Sequence, residues 1–157
     1  METPTAVPRF IRRSATLGAA LATLALIGCG GSSVQVAEVD GVVLIGGKPG
    51  HKVYVQFLPE ASGETRPPSS MAETDAEGRF TLLLMDGPAG SDRPGAVVGS
   101  HRVVLRDLQL AESVTGAGLP IRLSPNYTLP GSTPLVQEVK EGQQTIEIQV
   151  PYYARPR

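Results

Sequence analysis

The stretch Lys52-Val53-Tyr54-Val55-Gln56-Phe57 alternates cleanly, placing Val53, Val55 and Phe57 on one face of a strand. The same two-residue period runs through Val34-Gln35-Val36-Ala37-Glu38-Val39 and resumes in Val42-Val43-Leu44-Ile45 after a bend at Asp40-Gly41. Phe80, Leu82 and Leu84 share a face, and His101-Arg102-Val103-Val104-Leu105-Arg106 reads as a further strand. Ile146, Ile148 and Val150 alternate with Glu147 and Gln149, the pattern of a strand with one buried side. Residues 70–74 form a short strand. Residues 135–140 and 145–150 read as a final hairpin across Glu141-Gly142, stopped by Pro151. Val53, Val55, Phe57, Phe80, Leu82, Val103, Leu105, Ile146 and Ile148 are the expected core.

Between the strands lie Gly46-Gly47-Lys48-Pro49-Gly50, a Pro/Gly/Ser loop at 59–69, and another Gly/Pro loop at 86–99. Thr74-Asp75-Ala76-Glu77-Gly78-Arg79-Phe80 reads as a tight turn. There Asp75 accepts hydrogen bonds from the backbone ahead of it, and Gly78 supplies a positive φ. Residues 107–124 show no period and are expected to run over the surface. With 18 glycines and 14 prolines spread along the chain, long helices are excluded and many short strands are favoured. About seven strands in one domain predict an all-β fold, a single antiparallel β-sandwich.

The N-terminus follows a different pattern. Arg9, Arg12 and Arg13 form a positive zone, and residues 17–27 form an apolar run that ends at Gly28-Cys29. This is the order of a secretory signal, and the run is shorter than the ~20 residues a membrane-crossing helix needs. Leu26-Ile27-Gly28-Cys29 resembles the bacterial lipobox. That resemblance implies cleavage before Cys29 and lipid attachment at Cys29, the sole cysteine. Several acyl chains anchor a protein stably where one does not. Arg12-Arg13 is a twin-arginine pair, but Ser14-Ala15-Thr16 follows it rather than a bulky apolar residue, which favours the general secretion route.

Residues 1–28 are therefore read as a signal peptide and 29–33 as the lipidated cysteine with a flexible tether. Residues 34–150 are the sandwich and 151–157 a loose tail. Cleavage leaves 129 residues carrying 11 basic and 14 acidic groups, a net charge of −3. Such a balance lacks the basic footprint of a nucleic-acid binder. A lone cysteine excludes an intrachain disulfide, so the apolar core must hold the fold.

The strand segments carry a second resemblance. Val42-Val43-Leu44-Ile45-Gly46-Gly47-Lys48-Pro49, Val53-Tyr54-Val55-Gln56-Phe57-Leu58-Pro59 and Thr74-Asp75-Ala76-Glu77-Gly78-Arg79-Phe80 carry it first. Val98-Gly99-Ser100-His101-Arg102-Val103-Val104-Leu105 and Leu135-Val136-Gln137-Glu138-Val139-Lys140-Glu141-Gly142 extend it. Together they resemble the carboxypeptidase regulatory-like domains, prealbumin-like (transthyretin-like) sandwiches found in lipoproteins of planctomycete type. Gln137 departs from the pattern, standing where an apolar inward residue is expected. The resemblance implies a structural or interaction module of the cell envelope, facing the periplasm or the cell surface.

Candidate chemistry is sparse. Some transthyretin-like sandwiches hydrolyse a hydroxyisourate using His, Arg and a terminal Tyr-Arg-Gly-Ser motif. Here the chain reads Tyr152-Tyr153-Ala154-Arg155-Pro156-Arg157 instead. His51 and His101 have no evident partner to position a general base. Asp75 and Glu77 beside Gly78 lack the alternating oxygen ligands of a calcium loop, and no Cys/His set suits zinc. Asn126-Tyr127-Thr128 is a glycosylation tripeptide, read as a chance match in a bacterial lipoprotein. We expect no enzyme activity, no cofactor and no metal. The expected contacts are a membrane through the lipid, and an envelope protein or a glycan. The alternative function, a carbohydrate- or small-ligand-binding module, rests on Tyr54, Tyr127, Tyr152 and Tyr153, since Trp is absent.

Overall fold

A computed structural model describes residues 34–61, 66–88, 92–112 and 120–153. Cys29, the signal segment, the tether to Ser33 and residues 154–157 lie outside the described residues. In chain order the strands are β1 (Val36–Ala37), β2 (Val39–Ile45), β3 (Lys48–Pro49), β4 (Val53–Pro59) and β5 (Ser70–Glu73). They continue with β6 (Arg79–Thr81), β7 (Leu83–Leu84), β8 (Arg93–Pro94), β9 (Ala96–Val97) and β10 (Gly99–Asp107). A single helical turn, α1 (Leu108–Glu112), and a 3-10 turn at Pro125–Thr128 precede β11 (Val136–Val139) and β12 (Gln144–Val150).

The fold is an all-β sandwich. One sheet runs β11-β10-β4-β5-β7-β8; the other places β2 between β12 and the pair β3 and β6. β1 and β9 form a short ladder of their own. The alternation read from the sequence sets which side chains face inward. β2 and β4 each bury every second residue, and so does β12. All nine expected core residues are buried, from Val53 at 0% exposure to Ile146 at 8%. Val39, Val43, Ile45, Leu123, Val139 and Val150 join them in one cluster. Phe57 of one sheet and Phe80 of the other meet with ring centroids 6.5 Å apart, at a tilt of 50° that suits an aromatic pair.

Several local expectations are corrected. Residues 135–140 and 145–150 do not pair as a hairpin. β11 pairs antiparallel with β10, while β12 pairs parallel with β2 over seven residues, so Glu141-Gly142 carries the chain from one sheet to the other. Alternation states which face a strand buries, not which neighbour it takes, and each sheet had an edge to fill. The sandwich is therefore antiparallel except at β2–β12.

The Phe80-Leu82-Leu84 strand is likewise shared. β6 pairs with β2 and β7 with β5, so the chain crosses between sheets at Leu82, whose N–H donates to Val39 O and whose carbonyl accepts from Gly95 N–H. The loop at 86–99 holds two short strands, β8 and β9, which help close that side.

Asp40-Gly41 does not bend β2; the break falls at Glu38. Gly41 sits in mid-strand because a Cβ there would overlap the Phe80 ring and the Ile146 carbonyl. The turn at Gly78 follows the sequence reading, with φ +76°, and a Cβ there would press on Val43 O at 2.6 Å.

Residues 107–124 do not simply cross the surface. Asp107 completes β10, α1 follows, and Leu123 returns to the core at 4% exposure. The tail is tied at Tyr153, whose N–H donates to Arg122 O.

Candidate functional site

His101 lies on the inward face of β10 with Val103 and Leu105, and is 1% exposed. Its Nδ1 is 2.9 Å from Gly99 O, so this nitrogen carries the proton and donates it. Nε2 is buried without a hydrogen-bond partner. The ring packs on Phe57, centroids 5.7 Å apart. Burial pushes the imidazole below its ordinary pKa, against the opposing pull of Gly99 O and the Glu138 charge. His101 is thus a neutral core side chain.

Among the described residues, Ser70 is the other buried residue whose side-chain polar atom has no partner. A serine and a histidine inside one sheet invite comparison with a nucleophile and base. The register separates them. Ser70 stands opposite Phe57 on β4, whereas His101 stands opposite Pro59, with β4 between β5 and β10. Two strand spacings of about 4.8 Å and a two-residue offset exceed hydrogen-bond reach.

His51 stands at the opposite end of β10. Its Nδ1 is 3.4 Å from Gln109 Nε2, and its carbonyl accepts from Arg122 Nη2 at 2.9 Å. The core of this cluster is a bidentate pair. Arg122 Nε donates to Asp107 Oδ2 at 2.8 Å and Nη2 to Oδ1 at 2.6 Å, with side chains 15% and 4% exposed. Asp107 Oδ1 also accepts from Gln109 N–H, and Leu108 N–H donates to Lys52 O. The fork geometry of the guanidinium holds the strand end, the turn at His51 and the returning chain together. Sequence reasoning missed this pair, because the two residues lie 15 apart in a stretch without period and no spacing rule links them.

A surface cleft of about 730 Å³ is lined by Asp40, Glu73, Asp75, Glu77, Arg79 and Thr81, among others. The Asp75 and Glu77 carboxylates are engaged within the turn. Asp75 Oδ1 accepts from the Glu77 and Arg79 N–H groups, and Arg79 pairs with both Asp75 and Glu77. The Arg79 N–H chiefly, then its side chain, lowers the Asp75 pKa. Asp40 Oδ1 accepts from Thr81 Oγ1 at 2.6 Å. Among the described residues no three His, Cys, Asp or Glu converge to hold a metal ion.

The four tyrosines occupy separate settings. Tyr54, on the outer face of β4, donates to Met71 Sδ, and Arg106 lies 5.8 Å from its ring centroid. Tyr127 packs against the core. Tyr152 is 49% exposed beside Gly46, and Tyr153 is half-buried. Asn126-Tyr127-Thr128 lies in the 3-10 turn Pro125–Thr128, capped by Ser124.

No family model and no curated protein matches the chain. Among solved structures it is similar to a crystal structure of a 9R-lipoxygenase from Cyanothece PCC8801, at 15% identity and a TM-score of 0.28. That similarity covers 75% of this chain and 17% of the lipoxygenase, and at such a score it carries no argument. No helix among the described residues is long and apolar enough to cross a membrane.

Proposed function

We propose that this protein is a lipid-anchored, extracytoplasmic β-sandwich of the carboxypeptidase regulatory-like kind, acting as a structural or interaction module without chemistry of its own. One observation carries the reading. Arg9, Arg12 and Arg13, the apolar run at 17–27 and Gly28-Cys29 stand in signal-peptide order ahead of a β-domain whose first strand begins at Val36. The short segment between Cys29 and that strand is Gly/Ser-rich, as a tether would be.

The placement of the titratable groups supports a non-catalytic role. His101 is committed to the core, and His51 to the Asp107–Arg122 cluster. A general base must reach the proton it removes, which a side chain sealed against Phe57 does not. A glycan-binding role would call for uncovered aromatic faces, and of the four tyrosines Tyr152 alone is exposed. The interaction-module reading therefore leads.

The test is extraction from a bacterial envelope. Wild type should require detergent for release, whereas Cys29→Ser should accumulate as an uncleaved or freely soluble form. Equal release of both without detergent would overturn the anchor.

A further inference from the structure

Among the described residues, the edge strands of the two large sheets are all short except β12. Edge strands expose unpaired N–H and C=O groups, and natural proteins blunt them with short length, proline, lysine or a bulge. β3 has two residues and ends in Pro49, β8 has two and ends in Pro94, and β11 has four. β12 has seven residues, Gln144–Val150, with no proline, no lysine and an unbroken register against β2.

The direction of its free groups follows from its bonds. Gln144 N–H donates to Glu38 O, and Val150 O accepts from Gly46 N–H. Even-numbered residues therefore aim their backbone at β2, and Thr145, Glu147 and Gln149 aim theirs outward. β12 is the last strand of its sheet, and among the described residues these outward groups have no partner. Their side chains are exposed, with Glu147 the only charge along the edge.

We propose that β12 is a homodimerisation edge, pairing antiparallel with β12 of a second copy about a two-fold axis at Ile146. A two-fold contact must be self-complementary. Centring it on Glu147 would set two carboxylates directly opposite, which is destabilising. Centring it on Ile148 would bring Pro151, which has no N–H, opposite Thr145. Centring it on Ile146 places Thr145 opposite Glu147 and Gln143 opposite Gln149. Thr145 and Glu147 both present an outward N–H and C=O, so each Thr145–Glu147 pair forms two hydrogen bonds. The axis then joins the two copies of Ile146, which at 8% is the most exposed of the inward residues of β12, against 1% for Ile148 and Val150.

The test is sedimentation equilibrium of the full chain in mild detergent over a wide concentration range. A reversible dimer is expected. Glu147→Pro removes an outward donor while sparing the β2 ladder, and should weaken association at least about tenfold with the far-ultraviolet circular dichroism of wild type. Thr145→Lys, facing Glu147 of the other copy, should tighten association. Thr145→Glu should weaken it. These two surface changes keep the test decisive should the proline variant fold poorly. A monomer at all concentrations would overturn the proposal, as would a dimer indifferent to the three substitutions. Weaker association of Thr145→Lys together with tighter association of Thr145→Glu would overturn the register.

Discussion

Thr74 ties the turn after β3 to the strand that follows it, and its hydroxyl is the most exacting test of how this end of the sandwich is held. The residue is 3% exposed. Its Oγ1 donates to Gly50 O at 2.5 Å and accepts from Val53 N–H at 2.8 Å. Its own backbone accepts from Lys52 N–H and donates to Val53 O. Thr74→Val keeps the shape and removes the hydroxyl. Two buried backbone groups then lose their partner, at about 1–3 kcal/mol each, so a loss of about 2–6 kcal/mol is expected. Thr74→Ser keeps both hydrogen bonds and deletes one methyl, costing about 1 kcal/mol. Reversible urea unfolding of the two variants measures both. Thr74→Val should be the less stable by at least about 1 kcal/mol. If it equals or exceeds Thr74→Ser, the hydroxyl is not what closes the turn.

Two further outcomes follow from the core. His101 has a folded-state pKa below its ordinary value of 6.5 because burial disfavours the imidazolium, so the unfolded chain binds the extra proton first. Stability should be complete above about pH 6.5 and fall as pH drops towards the folded pKa. His101→Gln should flatten that slope in unfolding measured between about pH 7 and pH 5, and an unchanged slope would remove His101 as its source. Gly41→Ala pushes a methyl into the Phe80 ring and should cost about 1–3 kcal/mol in the same urea assay. A neutral result would show that Phe80 has room to move.

The inward-facing residues were legible because a half-buried strand writes its burial into alternate positions. Val53, Val55 and Phe57 show this, as do Ile146 and Ile148. His101 obeys the same rule, since it alternates with the buried Val103 and Leu105. Pairing was less accessible. Nothing in the residues of β12 says that its neighbour is β2 and parallel, or that the strand through Leu82 changes sheets. The Asp75 turn could be read locally because its donors lie two and four residues ahead. The Asp107–Arg122 cluster could not, because a contact across a stretch without period is set by the whole fold.

Intact mass spectrometry of the protein purified from a bacterial envelope tests the lipid anchor at Cys29 most directly. The predicted result is a chain that begins at Cys29 and carries a thioether-linked diacylglycerol with an acylated N-terminal amine. A mature chain that retains residues 1–28, or one with a free thiol at Cys29, would contradict it.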